Sequence, residues 1–205
     1  MKDNIKQFWD WFKDNNKLFL FVNQKDEKEK ELLLDQFLEN LHKYCDQLWF
    51  EIGGNPDEPL DLIITAEGNI DYYDMVEKLV NAAPKIENWN IIAFKPPMGT
   101  EFEIKFEDVE LIPNEMWFMP LENQLKPTSL GLRIGIKNYK KFKKSKWLQA
   151  TVNKVLDTVL GEKSFAFDIE YLEIVELPKK PQENGMLELQ QLHNYVSWHK
   201  NKYTN

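Results

Sequence analysis

The chain is poor in the residues that most often announce chemistry. Its 205 residues include one cysteine (Cys45), one arginine (Arg133), three histidines and four serines. A lone cysteine cannot close an internal disulfide, so a reducing cytoplasm is the expected setting. No serine sits in a G-x-S-x-G pattern, which removes the nucleophile elbow of the α/β-hydrolases. No apolar run approaches the roughly 20 residues needed to cross a bilayer, so no membrane partner is expected. The opening stretch, MKDNIKQFWDWFKDN, mixes both charge signs without a continuous apolar segment and does not read as a secretory signal.

What the chain does have is bulk. Hydrophobic residues make up 42% and aromatics 13%, including seven Trp and thirteen Phe, enough for a core without metal or disulfide support. The net charge of −8 weakens non-specific affinity for nucleic acid and anionic membranes. The cations are nearly all Lys, a bias that with the many Asn suggests an AT-rich bacterial genome.

Hydrophobic spacing divides the chain into elements. Ile5, Phe8, Trp9 and Phe12 recur at helical spacing, which predicts a helix over 2–14. The run from Leu18 to Val22 is open between strand and helix extension. Leu34, Phe37, Leu38, Leu41 and Cys45 form one stripe of a helix over 27–46. A strand over 48–52 leads to a turn at Gly53-Gly54-Asn55-Pro56, and a second strand covers 60–66. A helix follows over 72–83, with Asp71 as a candidate N-cap, and then a strand over 89–94. Residues 102–106 and 109–111 alternate. A two-residue loop at Glu107-Asp108 would pair Phe106 with Val109 and Ile104 with Leu111. Strands are expected over 116–121 and 130–136, a helix over 146–160 ending at Gly161, a long strand over 165–177, and a last helix over 187–202.

The fold class is therefore α+β with an antiparallel-rich sheet and N- and C-terminal helices. The order strand–strand–helix–strand occurs twice, over 47–97 and 115–178, with the hairpin of 101–113 between. Two such ββαβ halves would form one continuous sheet with helices on one face. A helical segment (1–46) precedes them, a helix (187–203) follows, and the whole is expected to form a single domain, 1–205.

Most candidate motifs fail on context. Gly161-Glu162-Lys163-Ser164 lies between a helix and a strand, the reverse of a phosphate-binding loop, so Gly161 reads as a helix terminator. Glu39-x-x-His42 matches half of a di-iron motif, but no second half exists, and Cys45 and His42 read as the edge of a core stripe. No metal and no cofactor are expected. Lys140, Lys141, Lys143, Lys144 and Lys146, interleaved with Tyr139, Phe142 and Trp147, are the one concentrated basic run. Basic residues among aromatics can hold single-stranded nucleic acid, although a solvated helix entry explains them too.

Arg133 is the most pointed candidate. In LGLRIGI, alternation puts Leu130, Leu132, Ile134 and Ile136 on one face and Arg133 on the other, between Gly131 and Gly135. Two neighbours without side chains leave room beside a guanidinium for a carboxylate or phosphate. Glu51, Glu67, Asp168 and Glu170 occupy comparable non-core positions on other strands and complete the candidate ligand site. A simple ion pair explains the same arginine. At the termini, Trp9, Trp11, Tyr195 and Trp198 either pack on the domain or form a partner surface.

The segments FWDWFKDN, LWFEIGG, LIITAEGN, WNIIAFKPPMG, LGLRIGIKNY and GEKSFAFDIEYLEI together resemble a family of small bacterial proteins of about this length with no assigned activity. The resemblance implies a bacterial, cytosolic protein and supplies no catalytic residues. Three functional expectations follow. The first is a non-enzymatic binding protein acting through a surface, on a protein partner or as a homodimer. The second is a receptor or enzyme for a small anionic ligand at Arg133. The third is a nucleic-acid contact through Lys140–Lys146.

Overall fold

A computed structural model describes residues 2–54 and 58–204. Asn55 and Pro56, half of the expected turn, lie outside the described residues. The residues expected to form one domain fall into two compact units, 1–95 and 96–205.

The first unit is built on aromatic rings. Helix α1 (Lys2–Asn15) buries Phe8, Trp9 and Phe12, the stripe that its spacing specifies. Trp9 donates its indole N–H to the Leu79 carbonyl at 2.9 Å, which satisfies the polar end of a buried ring. Helix α2 (Glu27–His42) starts at Asp26, whose carboxylate accepts from the Glu29 amide at 3.0 Å. Its Phe37 is fully buried and lies edge-on to Phe8, Trp11, Phe12 and Phe19, while stacking on Phe50 at 3.9 Å. Leu18–Val22 is no strand: the chain turns there through two short 3-10 segments, Asn16–Leu18 and Val22–Gln24, which bury Phe19 and Val22.

Strands β1 (Trp49–Gly53), β2 (Leu60–Thr65) and β3 (Trp89–Ala93) form a sheet in that order, with helix α3 (Tyr73–Asn81) connecting the last two. β1 and β2 are antiparallel, β2 and β3 parallel. Leu62 and Ile64 point into the core. The N-cap expected at Asp71 moves: the Asn69 side chain accepts from the Asp71 amide and opens a 3-10 turn, and the helix proper begins at Tyr73.

The second unit opens with the hairpin β4 (Ile104–Phe106) and β5 (Val109–Leu111), in the expected register of Phe106 against Val109 and Ile104 against Leu111. Glu107 takes a positive φ of 55° in the loop. Strands β6 (Trp117–Glu122), β7 (Leu130–Ile136), β8 (Tyr171–Glu176) and β9 (Leu187–Glu188) form a four-stranded sheet in the order β8-β7-β6-β9. Between β7 and β8 run helices α4 (Tyr139–Phe142), α5 (Leu148–Leu160) and α6 (Glu162–Asp168), and α7 (Leu192–Thr204) closes the chain. Leu130, Leu132, Ile134 and Ile136 share one core with Val152, Val155, Leu156 and Val159 of α5.

The duplication expected from element order extends to register. β6 is antiparallel to β7 and β7 is parallel to β8, as in β1-β2-β3. Trp49-Phe50 and Trp117-Phe118 open the two first strands, pairing with Thr65-Ile64 and Gly135-Ile134. The halves do not, however, join into one continuous sheet: among the described residues they form separate sheets, with the hairpin a third. β3 ends at Ala93, Phe94 turns away at a φ of 68°, and Pro96 and Pro97, which lack amide donors, follow two residues after the strand.

Two further boundaries move. The strand expected over 165–177 is a helix up to Asp168 and a strand only from Tyr171. Gly161, at φ 80° and ψ 151°, ends α5 and turns the chain directly into α6. Phe165 and Ile169, four apart, pack on the core, leaving Phe167 outside. The helix expected over 187–202 starts at Leu192, because Leu187 and Glu188 pair with β6 instead.

Candidate functional site

The face around Arg133 is filled. A β-carbon at Gly135 would come within 2.9 Å of Met186 Cε and 3.0 Å of Leu177 Cδ1. At Gly131 it would meet Leu121 Cβ and Tyr171 Cβ at 3.3 Å. The missing side chains thus admit neighbours from β6, β8 and the segment before β9. Arg133 Nε donates to Glu173 Oε2 at 2.8 Å, across the direct β7–β8 register. More than a third of each side chain is exposed, so solvent screens the pair.

The carboxylates grouped with Arg133 have other partners. Glu170 accepts from Lys126 Nζ at 2.6 Å and Ser129 Oγ at 2.8 Å, and these bonds hold its carboxyl below the usual range. Asp168 accepts from Ser164 at 2.7 Å and Lys200 at 3.0 Å. Glu51 and Glu67 belong to the first unit, where both engage Lys95, Glu51 at 3.2 Å. Lys95 is 11% exposed. Burial pulls its ammonium down, but the hydrogen bonds and charges of Glu67 and Glu51 outweigh that and raise it above 10.5.

The basic run is divided by burial. Lys140, Lys141, Lys143, Lys144 and Lys146 are exposed, while Phe142 is buried and Tyr139 and Trp147 pack against the core. Trp147 also meets Phe106 edge-on at 5.1 Å. The rings that would stack on bases are engaged inward. At the termini, Trp9 is buried and Trp11 half-buried, whereas Trp198 stays half-exposed with Lys202 4.9 Å above its ring.

The Glu39–His42 turn is structural. His42 Nε2 lies 3.1 Å from the Leu48 carbonyl, and its ring meets Trp49 edge-on. Cys45 is buried. Among the described residues, no three His, Cys, Asp or Glu side chains cluster as a metal would require. No described helix is long and apolar enough to cross a membrane.

The second unit has a hollow of about 220 Å³ between Leu111, Met116, Ile136 and Phe142, and the first unit has larger ones. One apolar hollow of about 610 Å³ lies between Ile5 and Trp9 of α1 and Ala82 and Pro84 beyond α3. A second groove, of about 520 Å³, runs between Lys30, Leu34, Asp35 and Leu38 of α2 and the four consecutive β1 residues Trp49, Phe50, Glu51 and Ile52. Successive strand residues point to opposite faces. A groove that touches all four therefore faces the strand's edge. β1 pairs only with β2 among the described residues, so that edge is unoccupied by a strand. Sequence reasoning identified β1 but not the groove. Its one sequence signal is that the first half has no counterpart to Leu187-Glu188 of the second.

Compared with family models, with curated proteins and with solved structures, the chain finds no match in any of the three.

Proposed function

We propose that the protein is a non-enzymatic binding protein that takes a polypeptide partner in the groove between α2 and β1. The observation that carries this reading is the edge of β1 facing Leu34 and Leu38 across about 520 Å³ of open space. An unpaired edge offers backbone donors and acceptors, and an apolar wall beside it offers burial. Trp49, 46% exposed at the groove's end, is the residue type that dominates binding energy at protein interfaces.

The second reading, a small anionic ligand at Arg133, has weaker support, since Glu173 already occupies the guanidinium and Met186 fills the space beside Gly135. A photo-crosslinking residue placed at Leu34 tests the first reading. It is expected to give a defined adduct that disappears when Leu38→Asp is added, while the same probe at the exposed Glu183 gives none. Equal labelling from both positions contradicts it. Adducts between two copies of the chain would make the partner the protein itself.

A further inference from the structure

The duplicated halves differ at one edge, and that difference specifies how the groove is filled. β6 and β1 correspond in sequence, Trp117-Phe118 matching Trp49-Phe50, and in register against the next strand. The outer edge of β6 carries β9, antiparallel, with Leu187 opposite Phe118 and Glu188 opposite Trp117. Leu187 packs into the core on the same side as Phe118, and Glu188 lies on the other face. One residue before β6, the Met116 carbonyl accepts from the Leu189 amide at 3.0 Å. The corresponding Leu48 carbonyl in the first unit faces His42 Nε2 at 3.1 Å. A side chain of α2 thus stands at Leu48 where the backbone just after β9 stands at Met116. Beyond it, the groove beside β1 stands where β9 stands beside β6.

From this correspondence, and resting on the reading of the groove as a binding site, we infer that β1 accepts an extended segment of a partner protein as an antiparallel strand in the place of β9. The side chains of β1 define the segment. A residue opposite Phe50 points, as Leu187 does, toward the apolar side, where Leu34 and Leu38 line the groove. The residue opposite Ile52, two positions earlier in the partner, points the same way. The residue between them stands opposite Glu51 on the other face. Glu51 and Glu67 share the Lys95 ammonium, so two carboxylates meet one cation and that position favours a basic side chain. The partner's pattern is apolar–basic–apolar, followed by a polar residue opposite Trp49, as Glu188 lies opposite Trp117.

Panning the full-length chain against a displayed library of random dodecapeptides tests the inference. The expected winners carry apolar–basic–apolar. N-methylating the winning peptide at alternate residues, on the amides that face β1, lowers affinity at least about tenfold, because each methyl removes a ladder donor. The intervening amides tolerate methylation. Glu51→Lys, its folding checked by circular dichroism because the change sets a second ammonium beside Lys95, switches the central preference from basic to acidic. Binding that is lost with Leu38→Asp but is indifferent to the register of methylation overturns the strand geometry and leaves the groove reading standing. Winners indifferent to Leu38→Asp in a folded variant, or a library without winners, overturn both.

Discussion

Replacing Phe37 by alanine tests the packing on which the groove rests. Phe37 is fully buried, with four rings edge-on between 5.4 and 5.7 Å and Phe50 stacked beneath it. Truncating a buried phenylalanine costs about 3–5 kcal/mol from lost transfer energy and the cavity left behind. The five surrounding rings come from α1, the turn after it and β1, and cannot all close in on a small residue. A cost no lower than the middle of that range, about 4 kcal/mol, is therefore expected. For a chain of this size that lowers the melting temperature by about 8–16 °C. Phe37→Leu keeps most of the volume and loses the ring pairs, so its cost is about 1–2 kcal/mol. Thermal melts followed by circular dichroism on wild type and both variants measure the two terms. A shift under about 2 °C for Phe37→Ala, or equal shifts for both variants, would refute the assignment of Phe37 as the centre of this cluster.

Three further outcomes follow from named contacts. Gly131→Ala is expected to destabilise by about 1–3 kcal/mol and Gly135→Ala by less than about 1 kcal/mol. The first β-carbon meets the Cβ atoms of Leu121 and Tyr171, which move only with their backbones, whereas the second meets the far ends of the Met186 and Leu177 side chains. Urea titrations that rank them the other way would contradict the packing described for that face. Arg133→Ala should cost no more than about 1 kcal/mol, less in high salt, because its pair with Glu173 is screened; a larger, salt-insensitive loss would assign the arginine a different role. Lys95→Met should lower stability by a constant amount at neutral pH. The native Lys95 holds its proton more tightly than the unfolded chain, so its contribution is complete below 10.5 and is lost as the pH rises through its higher folded value. A stability gap between wild type and variant that grows above pH 10.5 would show that the ion cluster with Glu51 and Glu67 does not hold Lys95 as described.

How far the sequence carried depends on whether the deciding contact is local. The β4–β5 register was legible because alternation and a two-residue loop determine it within ten residues. The duplicated strand order was legible for the same reason, each half being a run of short periodic segments. Residues 165–177 were not, since Phe165, Phe167, Ile169 and Tyr171 alternate as a strand would. The helix there rests on the turn at Gly161 and on Phe165 and Ile169 reaching a core assembled from distant elements. Arg133 was correctly placed between two glycines on the second face. That the space beside Gly135 belongs to Met186 and Leu177, some 40 to 50 residues later, has no local signature. The same holds for Glu173, which meets Arg133 only through the parallel β7–β8 register. The β1 groove was missed because an empty edge is defined by what does not pair with it.

Hydrogen exchange at the backbone amides of residues 49–53, with and without a selected dodecapeptide, tests the central claim most directly. Strand addition at β1 predicts slower exchange there on binding, and unchanged exchange along β3 on the far side of the same sheet. Protection confined to β3, or to the hollow between Ile5 and Pro84, would contradict the assignment of the β1 edge as the binding surface.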